Sequence, residues 1–326
     1  MAPSILPTRT IQGGGGNVKI AVIGAGGVGG YFGARLAVAG EDVTFVARGA
    51  HLEAMRKDGL RVLSPLGDLH VVPTRATSDA AAIGPVDLVM VAVKLWSTGE
   101  AIDAARPLMQ TGATIVSFQN GVHAEDDLVA AFGRERVIGG VANIAALIES
   151  AGVVRHNGAM ALLQFGELDG RPSARVDALL EACKRATIDA RVPADINKAI
   201  WEKFVFLASM ASMTTLTRMP IGPIRENADT RALFRQLAAE VVAVGRAQAI
   251  GLDDATVNAM MTRADSLPGT MVASMLGDLQ RGNRLELPWL SGNVVALGRK
   301  LGVATPAHAF VCAALELHAN GASKPA

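Results

Sequence analysis

The sequence predicts an α/β protein in which an N-terminal doubly wound parallel sheet is followed by a C-terminal all-helical domain. Three observations predict it. A short apolar run, Val18-Lys19-Ile20-Ala21-Val22-Ile23, leads straight into Gly24-Ala25-Gly26-Gly27-Val28-Gly29 and then into a helical pattern. Up to about residue 143, apolar runs alternate with helical patterns, as in sheets whose strands are covered on both faces. From Asp195 onward nearly every segment has helical spacing.

The first strand is followed by a helix over Tyr31 to Ala39 and a second strand over Asp42 to Val46. Leu60 to Leu63 and Leu69 to Val72 read as short strands, and Leu88 to Val93 is almost purely apolar, as a fully covered strand should be. Ile115 to Phe118 repeats that character, and Arg136 to Gly140 adds another strand. Val153 to His156 and Met160 to Phe165 are expected to pair around Asn157-Gly158, a favourable hairpin turn.

Pro172 to Arg185 reads as a helix. Further helices are expected over Ile196 to Met213, Thr230 to Ile250, Asp254 to Arg263, Thr270 to Gln280, Pro288 to Leu301 and Pro306 to Ala319. Gly251, Gly282 and Gly302 stand where helices should stop, and Pro288 and Pro306 suit first helical turns. The expected organisation is a flexible leader over residues 1–17, which ends in four glycines, a nucleotide-binding domain over 18–190 and a helical domain over 191–320. The leader lacks the basic start and continuous apolar stretch of a secretory signal.

The chain has 326 residues, enough for two domains with buried cores. Lys and Arg number 31 against 30 Asp and Glu, so total charge gives no pointer to nucleic acid. An aromatic content of 4% argues against a base-stacking surface. Cys183 and Cys312 are too few for a disulfide framework, and neither they nor the six histidines have metal-ligand spacing, so no metal is expected. No apolar run reaches the roughly 20 residues of a membrane helix. The reading is a cytoplasmic enzyme with a small-molecule substrate, and one face of Leu233 to Ile250 leaves room for a homodimer.

Between a strand and a helix, the GxGxxG pattern reads as the phosphate-binding turn of a Rossmann-type fold. Gly24 permits the tight turn, Gly26 lets the backbone approach a pyrophosphate, and Gly29 lets helix and strand pack closely. The helix N-terminus then presents free N–H groups to the phosphates. The second strand ends in Val46-Ala47-Arg48, with no acid to hold ribose hydroxyls. An arginine there favours NADP, through its 2′-phosphate, over NAD; the alternative is a solvated strand-end charge. Lys94 and Asn120 follow apolar strands and should stand at the carboxyl edge of the sheet, where ligands of such folds bind. Either is equally readable as a strand-end polar residue.

Together, GAGGVGGYFGARL, VKLW at Lys94, FQNG at Asn120, WEKF at Lys203 and SMLGDLQRGNRLEL around Ser274 and Glu286 resemble the ketopantoate reductase family, in order and spacing from Val18 to about Leu317. The resemblance implies NADPH-dependent reduction of 2-dehydropantoate to (R)-pantoate, on the way to pantothenate. It implies that Lys203 is the general acid, that Glu286 holds the substrate hydroxyl and that Ser274 binds the carboxylate end. It further implies that Lys94 and Asn120 contact cofactor and substrate, and that Arg48 meets the 2′-phosphate. The cofactor set it implies is Gly24, Ala25, Gly26, Gly27, Val28, Gly29, Arg48, Lys94, Asn120 and Glu286.

The chemistry is coherent by itself, because a cation that can release a proton stabilises the oxyanion of a reduced ketone. From the residues alone, Lys203 could equally snorkel to solvent from an apolar helix, and Glu286 could be a helix N-terminal charge. Asp278, four residues from Ser274, could support the site. The sequence departs from the family pattern at Leu207, Ala211, Ile221 and Met271, where the family carries asparagines. A less polar 2-ketoacid is therefore the alternative substrate, with Arg218 a candidate carboxylate anchor. A catalytically silent NADP-binding sensor is the non-enzymatic alternative.

Overall fold

The computed structural model describes residues 17–322. Of the expected leader, residues 1–16 lie outside the described residues; Asn17 donates a hydrogen bond to the Gly40 carbonyl. The chain divides into two compact units at Ile196/Asn197.

The first unit runs β1 (Lys19–Ile23), α1 (Gly27–Val38), β2 (Asp42–Val46), α2 (Gly49–Asp58), β3 (Leu60–Leu63), β4 (Leu69–Val71), β5 (Ala76–Thr77), β6 (Leu88–Val91), α3 (Thr98–Met109), β7 (Thr114–Ser117), α4 (Ala124–Phe132), β8 (Val137–Ser150), β9 (Val153–Glu167), α5 (Ala174–Arg185) and β10 (Asp189–Arg191). These ten strands form one sheet in the order β4-β3-β9-β8-β7-β6-β1-β2-β5, with β10 beside β9. From β5 across to β8 every pairing is parallel, and the order reverses at β1, between β2 and β6. The register pairs Ile23 with both Val46 and Val91, and Val91 with Ser117, so the carboxyl ends of β2, β1, β6 and β7 lie along one edge. Tyr31, Phe32, Phe45, Phe118 and Phe165 are fully buried in this unit, each contributing about 1.5–3 kcal/mol by leaving water.

Two expectations fail in this unit. Asn157-Gly158 is not a hairpin turn. It lies inside β9, where the register against β8 shifts between Ile144 and Ala145. The turn is instead Ala151-Gly152, with Gly152 at φ +77°. Pairing along the long apolar β8 thus outweighs the local turn preference of Asn-Gly, which is absorbed as a bulge. The boundary also falls later than residue 190, because β10 adds to β9 in parallel and ties residues 189–191 to the first sheet.

The second unit contains helices throughout: α6 (Ile196–Thr217), α7 (Ile221–Glu226), α8 (Ala228–Ala247), α9 (Asp254–Ser266), α10 (Ser274–Gln280), α11 (Ser291–Leu301) and α12 (Pro306–Leu315). Pro306 is in the first turn of α12, and Gly302 closes α11 in the left-handed region. Pro288 lies in a turn before α11, not in its first turn, since the carbonyl of Glu286 accepts from the N–H groups of Trp289 and Leu290 (both 3.0 Å). After α8 the left-handed residue is Ala249, at φ +61°, not Gly251. The short α7, framed by Pro220 and Asn227, carries no readable period.

A buried carboxylate organises this unit. Glu240 on α8 accepts from the N–H groups of Ala307 (2.9 Å) and His308 (3.0 Å), neutralising the positive start of α12. On α8, Phe234, Leu237, Ala238, Val241 and Val242 are buried within the chain, while Leu233 is half-buried. No helix among the described residues is long and apolar enough to cross a membrane.

Candidate active site

The glycine-rich turn is shaped by three different constraints. Gly24 has φ +99°, and its N–H bonds the Val46 carbonyl (3.1 Å), stitching the turn to the end of β2. A Cβ on Gly29 would lie 2.1 Å from the Gly24 carbonyl oxygen and 2.9 Å from Val22. A Cβ on Gly27 would lie 2.2 Å from the carbonyl oxygen of Ala146 on β8. Both glycines are therefore demanded by packing. At Gly26 the space is open, with nothing within 4 Å of an ideal Cβ, and φ there is −76°, which any residue can adopt. The chain keeps glycine at Gly26 without an internal steric or torsional reason. That is what close approach of a phosphate to the backbone requires.

Beside this turn lies a cavity of about 260 Å³, lined in part by Gly24, Ala25, Gly26, Arg48, His51 and Glu100. The serines Ser78 and Ser97 and the apolar Ile148 also line it. Of the residues expected to hold a cofactor, Gly24, Ala25, Gly26 and Arg48 thus meet around one cavity. Gly27, Val28 and Gly29 form the first turn of α1 behind it. Lys94 is exposed at the end of β6, with its ammonium 5.6 Å from the Trp96 ring centroid, and Asn120 is half-buried at the end of β7. Gln119 connects these two edges, because its amide donates to Thr98 Oγ1 (2.9 Å) and to the Val93 carbonyl (3.2 Å).

Sequence reasoning missed His51 and Glu100. Nδ1 of the His51 ring accepts a hydrogen bond from the Gly152 N–H (3.0 Å), so Nε2 carries the hydrogen and donates to the Ala25 carbonyl (2.9 Å). Burial lowers its pKa, which keeps the ring neutral, and it ties the glycine-rich turn to the turn between β8 and β9. Glu100, on the first turn of α3, accepts from Arg48 Nη1 at 2.6 Å. The only signal for either residue was its place in a helical first turn; the partners of His51 and Glu100 are 26 to 101 and 52 residues away in sequence.

In the second unit Lys203 is half-buried on α6, and Leu207 is half-buried one turn further on the same face. Ala211 and Ile221, by contrast, are buried core residues at 1% and 0% exposure. The Ile221 N–H bonds the Met271 carbonyl (2.9 Å), and Met271 is half-buried. Of the four departures, Leu207 and Met271 are thus the ones with accessible surface. Ser274 is exposed as the first residue of α10, and Glu286 is buried at 4% exposure. A charge serving only a helix dipole would gain nothing from such burial, and α11 begins five residues later, at Ser291.

Two side candidates turn inward on themselves. Asp278 accepts from Arg281 (3.0 Å) and Asn283 (3.2 Å), ordering the turn after α10. Arg218, exposed at φ +57°, donates to the Leu216 carbonyl (3.1 Å), which fits the surface reading of that residue. No group of three potential metal-ligating side chains occurs among the described residues. Burial raises Cys183 to about 12, so that thiol is unreactive.

A parallel sheet reversing at β1, with a glycine-rich turn at its carboxyl edge, is the architecture of the dinucleotide-binding folds. Comparison with known proteins narrows it. Residues 20–170 match the model described as ketopantoate reductase PanE/ApbA, and residues 195–319 match that of its C-terminal part. The chain belongs to the ketopantoate reductase family. It is 34% identical to a 2-dehydropantoate 2-reductase of Mesorhizobium japonicum, over 89% of this chain and 94% of that one. It is 33% identical to the uncharacterized oxidoreductase YkpB of Bacillus subtilis, over 92% and 99% respectively. The crystal structure of a 2-dehydropantoate 2-reductase from Geobacter metallireducens superposes with a TM-score of 0.86 at 33% identity, covering 92% of this chain and 99% of that one. The protein is accordingly an oxidoreductase of the PanE/ApbA type, acting on a CH–OH/ketone couple.

Proposed function

We propose that this oxidoreductase uses NADPH to reduce 2-dehydropantoate to (R)-pantoate in the cytoplasm, as a step of pantothenate biosynthesis. The observation that carries the cofactor half is Gly26, a glycine with open space where its Cβ would stand, beside a cavity that also holds Arg48. Gly24, Ala25, Gly26, Gly27, Val28 and Gly29 would hold the pyrophosphate, Arg48 the 2′-phosphate, and Lys94 and Asn120 the nicotinamide end of the crevice. The bound cofactor supplies a hydride to the ketone carbon.

This chain's own part is the proton and the orientation. Lys203, half-buried on α6, protonates the ketone oxygen as charge develops there, stabilising and quenching the oxyanion in one group. Glu286, buried and acceptor-rich when ionised, holds a substrate hydroxyl, and Ser274 donates to the carboxylate. A second reading, a less polar 2-ketoacid on the same machinery, is favoured by Leu207: an accessible apolar side chain replaces a family amide one turn from Lys203. Losing a buried hydrogen-bond partner costs about 1–3 kcal/mol in recognition.

The test is NADPH oxidation with a panel of 2-ketoacids that includes 2-dehydropantoate. Turnover of 2-dehydropantoate above every other member supports the first reading. A clearly better branched or aromatic 2-ketoacid supports the second. Failure to turn over any 2-ketoacid while NADPH still binds contradicts both.

A further inference from the structure

We propose that Glu100 is a cofactor-selectivity residue, which holds Arg48 away from full commitment to a 2′-phosphate and so lets the site accept NADH as well as NADPH. The inference rests on the dinucleotide reading above. The charged side chains lining the cavity beside the glycine turn are Arg48 and Glu100, with His51 kept neutral by its two backbone partners and its burial. The two charges are already joined, Nη1 to Oε2 at 2.6 Å.

A 2′-phosphate arriving at Arg48 therefore meets a neutralised cation and a carboxylate within contact distance of it. The ion pair itself is weak, since its side chains are 70% and 60% exposed. The repulsion between the Glu100 carboxylate and an incoming phosphate dianion adds to the competition for Arg48, because the phosphate carries twice the charge of a carboxylate and arrives within contact distance of it. NADH presents a ribose hydroxyl in place of that phosphate. A carboxylate is the acceptor that dinucleotide folds use for this hydroxyl, ordinarily from the end of the second strand. Here β2 ends in Val46-Ala47-Arg48 without an acid, and α3 brings one to the same cavity from a different element.

The experiment is equilibrium titration of NADPH and NADH, read by quenching of protein fluorescence or by calorimetry, on the wild-type chain, Glu100→Gln and Glu100→Gln/Arg48→Ala. The expected result is that Glu100→Gln tightens NADPH about tenfold and leaves NADH unchanged or weaker, that raising the salt concentration shrinks the gain, and that the double variant abolishes it. A ratio of NADPH to NADH affinity that stays the same in Glu100→Gln, with both dinucleotides bound, overturns this inference alone. Binding of neither dinucleotide to the folded wild-type chain overturns the dinucleotide reading, and this inference with it.

Discussion

The two units of this chain build their chemistry from different materials. The nucleotide site proposed for the first is made of backbone: a strand end, a glycine turn and the start of α1, where the absence of side chains is what admits a phosphate. The site proposed for the second is made of side chains, Lys203, Ser274 and Glu286, carried by α6, α10 and the turn before α11. Backbone geometry tolerates few substitutions and leaves a fixed spacing of glycines. Side-chain sites tolerate many, and Leu207, Ala211, Ile221 and Met271 stand where the family resemblance implies asparagines. The contrast teaches that a cofactor is easier to read from such a chain than a substrate.

The glycines give the sharpest way to break the comparison. Gly29→Ala drives a Cβ to 2.1 Å from the Gly24 carbonyl oxygen, and should cost about 3 kcal/mol or more of stability, seen as a fall in midpoint in urea. A Gly29→Ala chain of unchanged stability would mean that the turn is softer than its packing implies.

Acid tests the second unit next. His308 on α12 is buried, its Nε2 bonded to the Leu237 carbonyl (3.1 Å), and burial pushes its pKa down from 6.5 to about 4. Between those values the unfolded chain binds the proton and the folded one does not. Stability is thus fully present above pH 6.5 and falls as pH drops towards 4, by up to about 3 kcal/mol. Urea midpoints measured across that window would be flat if His308 were instead protonated in the folded state.

Gly26→Ala should do the reverse of Gly29→Ala. Its Cβ points into open space, so stability should hold, while the dissociation constant for NADPH rises at least about tenfold as the methyl occupies the phosphate's place. Loss of stability without loss of binding would reverse the roles assigned to these glycines. The smallest effect is expected at Leu207. Restoring an amide there by Leu207→Asn should raise kcat/KM for 2-dehydropantoate a few-fold relative to an apolar 2-ketoacid, about one hydrogen bond's worth. Ala211 and Ile221 are unsuitable for the same trial, because both are buried in the core.

The legibility of the fold follows the same division. β2 was readable to the residue, over Asp42–Val46, because Val43, Phe45 and Val46 are its buried residues while Asp42 and Thr44 stay half-buried, as alternation along a strand requires. The Asn157-Gly158 turn was misread because local turn chemistry cannot see β8, whose pairing with β9 decides the register. Ala249 carries the left-handed backbone after α8, two residues ahead of the glycine where the helix was expected to stop. Gly24 and Gly26 were legible because their spacing is local, and Arg48 because the end of the second strand of such a sheet has a fixed place beside the glycine turn. His51 and Glu100 were not, because what gives each its place is a partner on another element.

We propose a division of labour, with nucleotide binding in the first unit and proton delivery by Lys203 of the second. Its most direct test is Lys203→Ala, with kcat/KM for the best 2-ketoacid and the NADPH dissociation constant measured on the same preparation. The account predicts that kcat/KM falls by about 10²–10⁴ while the NADPH dissociation constant stays within about twofold, less than half a kcal/mol. Retained turnover, or loss of turnover matched by an equal loss of NADPH binding, would contradict it.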